Sequence, residues 1–409
     1  MKWYVLLVIG LLVGGIAGYG GVIYSQAPSV SSTGSATITS TATTTSTSTT
    51  TSTATTTSTA TATRTLTLTS GTEASGQLVI GSASTLKFAF NSILSSVYEP
   101  LYPGVQVAPP YYMGSGAVAQ VEVNTTQFSL EASADTGTLP SVLFPAHVAD
   151  YEIAFGLTQM TIIVNLQSNA GKQVYTLWQQ SQGYQPKSVQ WNQTWAQILT
   201  TVALNSSTVV GVSNPFTDPS GYQAGCMIRL AGQTFFGNVT KLYNAIYNNP
   251  SKFVMRNTET DLVTLMQSQS GNLDFITSAY LSNSIPQTAN SSQIAYITLP
   301  ETINLGTIAD VNYYHNGNFQ YTEQSVTKSF TCNPVMYSLT IPIPSGNKEA
   351  AQLFVGTLLS PAGTAILAKN GISAIEPALV FGNYTSVPDM LKPFAVPVNS
   401  TYSSLFPSS

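Results

Sequence analysis

The sequence predicts an α/β protein of two lobes facing each other across a hinged cleft, preceded by a membrane anchor and a disordered stalk. Three observations predict it. From residue 76 onward, short apolar strand patterns alternate with small-residue loops and helix starts, the signature of α/β units around a mostly parallel sheet. The pattern crosses into a second unit at "MTIIVNL", residues 160–166, and returns near residue 335 with "NPVMYSLTIPIPSG". Two units joined by two crossings make a clamp, for which hinge closure around a ligand is the common motion. The third observation is that residues 1–75 have no globular composition at all.

The chain begins with "WYVLLVIGLLVGGIAGYGGVIY", Trp3 to Tyr24, which carries no charge. At about 1.5 Å per residue it is just long enough to cross a hydrocarbon core of about 30 Å. Residues 1–26 therefore read as an uncleaved anchor, with Lys2 inside; the alternative is a secretory signal peptide, which has a shorter apolar core. Residues 27–75 are almost entirely Ser, Thr and Ala, too poor in apolar side chains to bury a core, and read as an O-glycosylated disordered stalk. The folded part is 76–409, with one lobe from about 76–160 and 335–409 and the other from about 161–334.

Within it, "GQLVIGSAS" is a strand ending in small hydroxylated residues, and "STLKFAFNSILSSVYEPLYPGVQVAPPYYMG" a helix followed by a second strand. "GSGAVAQVEV" is a helix opened by Gly114, Ser115 and Gly116, and "FSLEASADTGTLPSVL" runs from a strand through a loop, where Asp135 reads as a cap, into a helix start. "NKEAAQLFVGTLLSPAGTAILAKNGI" is a helix-turn-helix punctuated by Pro361 and Gly371.

Charged residues make up only 7% of the chain and the net charge is −4, so the basic surface that nucleic-acid binding requires is missing. Something else must hydrate the surface. Asn-x-Ser/Thr sequons begin at Asn124, Asn192, Asn205, Asn238, Asn290, Asn383 and Asn399, which points to a glycosylated, extracellular face. The only cysteines, Cys226 and Cys332, form one disulfide if the fold brings them together. His147 and His315 have no acid or cysteine motif beside them and read as surface residues; neither a zinc site, nor a cofactor, nor a nucleophile-and-base set for an enzyme can be assembled.

The most informative stretch is "SNPFTDPSGYQAG", residues 213–225. Backbone N–H groups at a helix N-terminus are orphaned donors, and with the helix dipole they favour an anion. Pro219 has its φ preset for a first helical turn, Ser220 and Gly221 present their amides, and Tyr222 stands where it can close the site. The plainer reading is an Asp218 N-cap with Pro at the first position.

Taken in order, "SNPFTDPSGYQAG", "NTETDLVTLMQSQSGNLDF", "ITLPETINLG", "NPVMYSLTIP" and "FVGTLLSPAGTAILAKNGI" resemble the substrate-binding proteins of ABC importers. Within them, the chain is similar to archaeal-type molybdate/tungstate-binding proteins over most of residues 77–392. The resemblance implies a periplasmic-binding-protein-like (type II) fold that captures tungstate or molybdate between the lobes, acts as a monomer and delivers the oxyanion to a membrane permease. It places ligand groups at Thr85, with Ser84 as the one-residue alternative, at Ser115 and the amide of Gly116, and at Asp218, Ser220, Gly221 and Tyr222. In the family, the Asp and a Glu from a later strand end expand the metal's coordination beyond four oxygens. Here that Glu falls at Ser278 or Ala279, so the expectation is a four-coordinate oxyanion held by hydrogen bonds, Ser278 among the donors. Sulfate or phosphate remain alternatives, as does a surface glycoprotein that keeps the fold without transport.

Overall fold

A computed structural model of the chain describes residues 35–49, 55–69, 74–268, 273–278, 293–400 and 402–406. The anchor segment, residues 1–26, lies outside them. The chain divides into two units, Met1–Gly71 and Thr72–Ser409.

In the first unit, β1 (Ser35–Thr49) and β2 (Thr55–Thr69) form an antiparallel ribbon with Ser35 opposite Thr69 and Thr49 opposite Thr55. This ribbon lies within the Ser/Thr-rich residues 27–75; threonine is β-branched and stiff at χ1, which favours extended backbone even where no core is available.

In the second unit, β3 (Gly76–Leu78) and β5 (Val105–Val107) make a small parallel pair. The large sheet contains β4 (Ile80–Ala83), β6 (Tyr111–Met113), β7 (Leu130–Ser133), β8 (Tyr151–Thr158), β16 (Val335–Thr340), β17 (Ser373–Gly382) and β18 (Ala395–Pro397), in the order β18-β17-β8-β16-β7-β4-β6. The small sheet contains β9 (Thr161–Asn165), β10 (Val210–Ser213), β11 (Phe253–Arg256), β12 (Phe275–Ser278) and β13 (Ile294–Thr298), in the order β11-β10-β12-β9-β13. A hairpin, β14 (Phe319–Glu323) with β15 (Val326–Phe330), precedes the return to β16.

Both sheets are mixed, whereas the sequence pattern predicts mostly parallel ones. Strand β4 is parallel to β6 and β7, and β10 is parallel to β11 and β12, but β8, β9, β13 and β16 all run in antiparallel pairs. The chain passes from β8 in the large sheet to β9 in the small one through Gln159 and Met160 alone, with no helix between them.

Helices pack on these sheets through apolar faces. Around the small sheet, Trp195, Ile198, Leu230, Phe275 and Tyr314 are all buried in one cluster. Helix α1 (Lys87–Ile93) contributes Phe90, which meets Phe155 and Phe354 beside the large sheet. The predicted helix-turn-helix is observed as Lys348–Leu358 and Pro361–Lys369, bent by 67°. Ser360 caps the second of these helices, and Gly371, at φ +74°, turns the chain into β17. Among the described residues no single helix is long and apolar enough to cross a membrane.

Cys226 and Cys332 form a disulfide with Cα atoms 5.5 Å apart, tying the strand return to the helix Pro219–Phe236. It closes a loop with a sequence separation of 106, and constraining an unfolded loop of that size is worth about 3–5 kcal/mol in the chain-entropy model. Reduction is therefore expected to lower the unfolding free energy in a denaturant titration by roughly that amount. An unchanged midpoint under reducing conditions would mean that packing alone holds the return in place.

Candidate functional site

Helix α2 (Ser115–Thr125), helix α3 (Thr138–Val142), helix α4 (Pro219–Phe236) and helix α5 (Glu259–Gln267) bring the candidate residues together. Asp218 has extended backbone and accepts from the Ser220 amide at Oδ1, 3.1 Å, so it is the N-cap of α4 with Pro219 at the first position. Gly221 is required by close approach. A Cβ there would lie 2.3 Å from the Ser213 carbonyl oxygen and 2.6 Å from the Pro215 nitrogen, so the helix start sits directly on the end of β10.

Ser220 is buried, and its hydroxyl donates to Glu259 Oε1. Glu259 is itself fully buried at the first position of α5, which Thr258 caps through the Asp261 amide. Two carboxylates thus flank one serine. Burial, then the nearby Glu259, raises the Asp218 pKa well above the usual carboxylate range, against the opposing hydrogen bonds from Ser220, Ser213 and the Glu259 backbone. Asp218 is accordingly biased toward its neutral form.

The large sheet supplies the facing groups. Ser84 and Thr85 lie in a single helical turn, Ser84–Leu86, directly after β4, and both are buried. Tyr337 on β16 is buried beside them, its pKa raised by burial and further by Glu259 and Asp218, with the Thr85 hydroxyl opposing. Thr85 Oγ1, the Tyr337 hydroxyl, Ser213 Oγ and Asp218 Oδ2 are all buried; Ser213 acts on Asp218 and Thr85 on Tyr337, but none of the four makes a well-formed hydrogen bond among the described residues. Buried polar atoms are normally paired, so this under-satisfied group marks a candidate ligand site.

Ser115 is the first residue of α2; its Oγ accepts from the Ala134 amide at 3.0 Å, which leaves its proton available to another acceptor. A Cβ on Gly116 would lie 3.3 Å from the Phe216 carbonyl oxygen, and one on Gly114 only 2.2 Å from the Thr217 carbonyl oxygen. The α2 turn and the loop before α4 are therefore in contact.

Tyr222 is placed differently from the other candidates. Its hydroxyl donates to Asp135 Oδ2 at 2.9 Å and its ring stacks on Phe330 with centroids 5.0 Å apart, while Gln223 Nε2 donates to the Ala134 carbonyl at 3.1 Å. Asp135 also receives the Thr138 amide at Oδ1, 3.0 Å, which is the capping role its sequence context suggests. Tyr222 is a strut between α4 and the β7–α3 loop. Ser278 closes β12 opposite Thr161.

Sequence reasoning missed Glu259 and Tyr337. For Glu259 the available signal was "NTETDL", a Thr cap followed by an acid at the first helical position; for Tyr337 there was none, because its strand reads as ordinary core. His147 is exposed as expected, but His315 is partly buried and its Nε2 pairs with Asn333 Oδ1 at 3.0 Å, since the helical turn it occupies packs under the strand return.

An uncharacterized solute-binding protein of Petrotoga mobilis is 26% identical over 312 residues, covering 76% of this chain and 87% of that protein. The molybdate/tungstate-binding protein WtpA of Thermococcus kodakarensis is 26% identical over 343 residues, covering 78% of this chain and 88% of that protein. Among solved structures, the periplasmic molybdate-binding protein of Azotobacter vinelandii is similar at 16% identity and a TM-score of 0.43, covering 72% of this chain and 98% of that one. Because the bacterial extracellular solute-binding protein family matches residues 78–373, most of the folded unit, the chain belongs to that family.

Proposed function

We propose that this chain is the extracellular receptor of an ABC importer, closing two hinged lobes around tungstate or molybdate and handing it to a membrane permease. The observation that carries the reading is the set of buried polar atoms, Thr85 Oγ1, Tyr337 hydroxyl, Ser213 Oγ and Asp218 Oδ2, that lie near one another at the start of α4 without well-formed hydrogen bonds. Hydroxyls and amides encircle a tetrahedral dianion without a counter-charge, and the helix N-terminus adds a favourable dipole. The name of the Thermococcus relative supports the choice of oxyanion. The uncharged segment from Trp3 to Tyr24 supports a tether to the membrane.

Asp218 has to be accounted for, because like charges about 4 Å apart repel by about 1 kcal/mol even in water. A raised pKa favours the neutral carboxyl, and in that form Asp218 donates to the ligand instead of opposing it. Asp218→Asn keeps a donor at that position and is therefore expected to bind within about threefold of the parent, about 0.7 kcal/mol. A loss of a hundredfold would favour a carboxylate bound to the metal itself.

Isothermal titration calorimetry of the purified chain with tungstate, molybdate, sulfate and phosphate in turn tests the reading. One site per chain, filled below micromolar concentration by tungstate or molybdate and not by the others, is expected. Tight binding of sulfate or phosphate would move the receptor to that anion. No response to any of the four would leave a surface role for the fold.

A further inference from the structure

Of the seven sequons, Asn290 lies outside the described residues, and five of the other six divide by what holds the side-chain nitrogen. Asn124, Asn192, Asn205, Asn238, Asn383 and Asn399 are all exposed. In helices, Asn124 Nδ2 donates to the Gln120 carbonyl at 2.8 Å and Asn192 Nδ2 to the Lys187 carbonyl at 3.0 Å, so the nitrogen that would carry a sugar is already held. Asn383 builds an Asx turn in which its Oδ1 accepts the Thr385 amide and hydroxyl at 3.2 and 2.6 Å, but its Nδ2 is held by Asp150 Oδ2 and Ser386 Oγ.

Asn205 and Asn238 differ. Each forms an Asx turn in which its own Oδ1 accepts both the backbone amide and the hydroxyl two residues on: Ser207 at 3.0 and 2.8 Å, and Thr240 at 3.0 and 3.0 Å. The carboxamide and hydroxyl are thereby fixed on one exposed corner, and among the described residues no hydrogen bond takes up Nδ2 of either asparagine. Both corners lie at helix ends on the small-sheet side, after the helical turn Thr200–Leu204 and after α4. Asn249 builds the same turn with Ser251, at 3.2 and 2.7 Å, but Pro250 between them removes it from the sequon class and makes it an internal control.

We propose that Asn205 and Asn238 are N-glycosylation sites of this protein. The co-reactant is a glycan linked through its anomeric carbon to a polyprenyl phosphate. The Nδ2–anomeric carbon bond forms, the anomeric carbon–phosphate oxygen bond breaks with its electron pair leaving on the phosphate, and Nδ2 gives up one proton. The sugars supply the surface hydration that a chain with only 7% charged residues lacks.

Glycopeptide mass spectrometry of the full chain isolated from the membranes of its own cells tests the assignment. Glycan mass is expected on the peptides carrying Asn205 and Asn238, and Asn249 is expected bare. Ser207→Ala and Thr240→Ala, which keep each asparagine and its backbone turn, are each expected to remove one glycan from the intact mass. Unmodified Asn205 and Asn238 in the isolated chain would overturn the proposal, as would a glycan that persists after loss of the Ser207 and Thr240 hydroxyls.

Discussion

Gly114→Val is expected to weaken oxyanion binding by a hundredfold or more while leaving the thermal midpoint of the ligand-free protein close to that of the parent. The two effects separate because of where the new atoms go. Gly114 has φ −63°, which any L-residue adopts, so the start of α2 tolerates a side chain on conformational grounds. Its Cβ, however, would stand 2.2 Å from the Thr217 carbonyl oxygen in the loop before α4. That loop cannot easily give way. Asn214 Oδ1 accepts the Phe216 amide at 2.8 Å, and the Asn214 carbonyl accepts the Thr217 and Asp218 amides at 3.1 and 2.9 Å. The collision is relieved by moving α2 and α4 apart, which pulls Ser115 away from Asp218 and Ser220. If α2 and α4 part in the ligand-free protein, the added atoms meet nothing there and the overpacking cost of about 1–3 kcal/mol falls on the bound state alone, where about 2.7 kcal/mol is a hundredfold in affinity. Calorimetry with tungstate reads the affinity and a melting curve reads the fold; Gly346→Ala, where no atom lies within 4 Å of the added carbon, is the control. Unchanged affinity for Gly114→Val would show that the bound state does not use this contact.

The second large effect concerns pH. Glu122, Glu131 and Glu152 are buried in or against the large sheet, and the ion pair Lys392–Asp389 that the described residues do form is at the surface, away from all three. Burial pushes the Glu122 carboxyl up to about 7 against a usual value of 4.5, with the Phe128 and Gln127 amides opposing. Burial raises Glu131 well above that usual value, and the neighbouring Glu122 adds to it. Glu152 is raised by burial and by Asp135, with Ser338 opposing. A carboxyl whose folded pKa lies above its unfolded one binds more protons in the folded state. Its contribution to stability is therefore complete below about pH 4.5 and is lost as pH rises through the folded pKa.

Unfolding free energy is accordingly expected to rise as pH falls from about 7 to about 4.5, by on the order of 1 kcal/mol per pH unit for each of these groups. Melting curves across that range read the slope. The triple change Glu122→Gln, Glu131→Gln and Glu152→Gln should flatten it, because an amide fills nearly the same space and cannot ionise. A midpoint that falls steadily with acidification would overturn the assignment of these carboxyls as neutral in the folded protein.

Several features were legible in the linear chain because their causes are local. The cap at Asp218, with Pro219 after it, needs only the amide two residues on, and the cap at Asp135 needs only Thr138. The break at Pro361 and the left-handed turn at Gly371 follow from the backbone of single residues. Strand, small-residue loop and helix likewise announce themselves by periodicity, which is why the α/β character and the helix start at Pro219 could be read without coordinates.

What only the tertiary structure decided depends on which distant segments the crossovers bring together. Ser220 meets Glu259 from 39 positions away, Tyr222 reaches Asp135 across 87, and the cysteines pair across 106. The resemblance pointed to Ser278 or Ala279 as the place of a missing acid, whereas the acid that stands against Ser220 is Glu259 of α5. Strand direction was also undetermined, because the partners are distant in the chain: β9 runs antiparallel to β12 and β13, and β8 to β16 and β17. The physical reason is the same in each case: caps, turns and periodicity are set by sterics and hydrogen bonds within a few residues, whereas burial and partnership are properties of the packed whole.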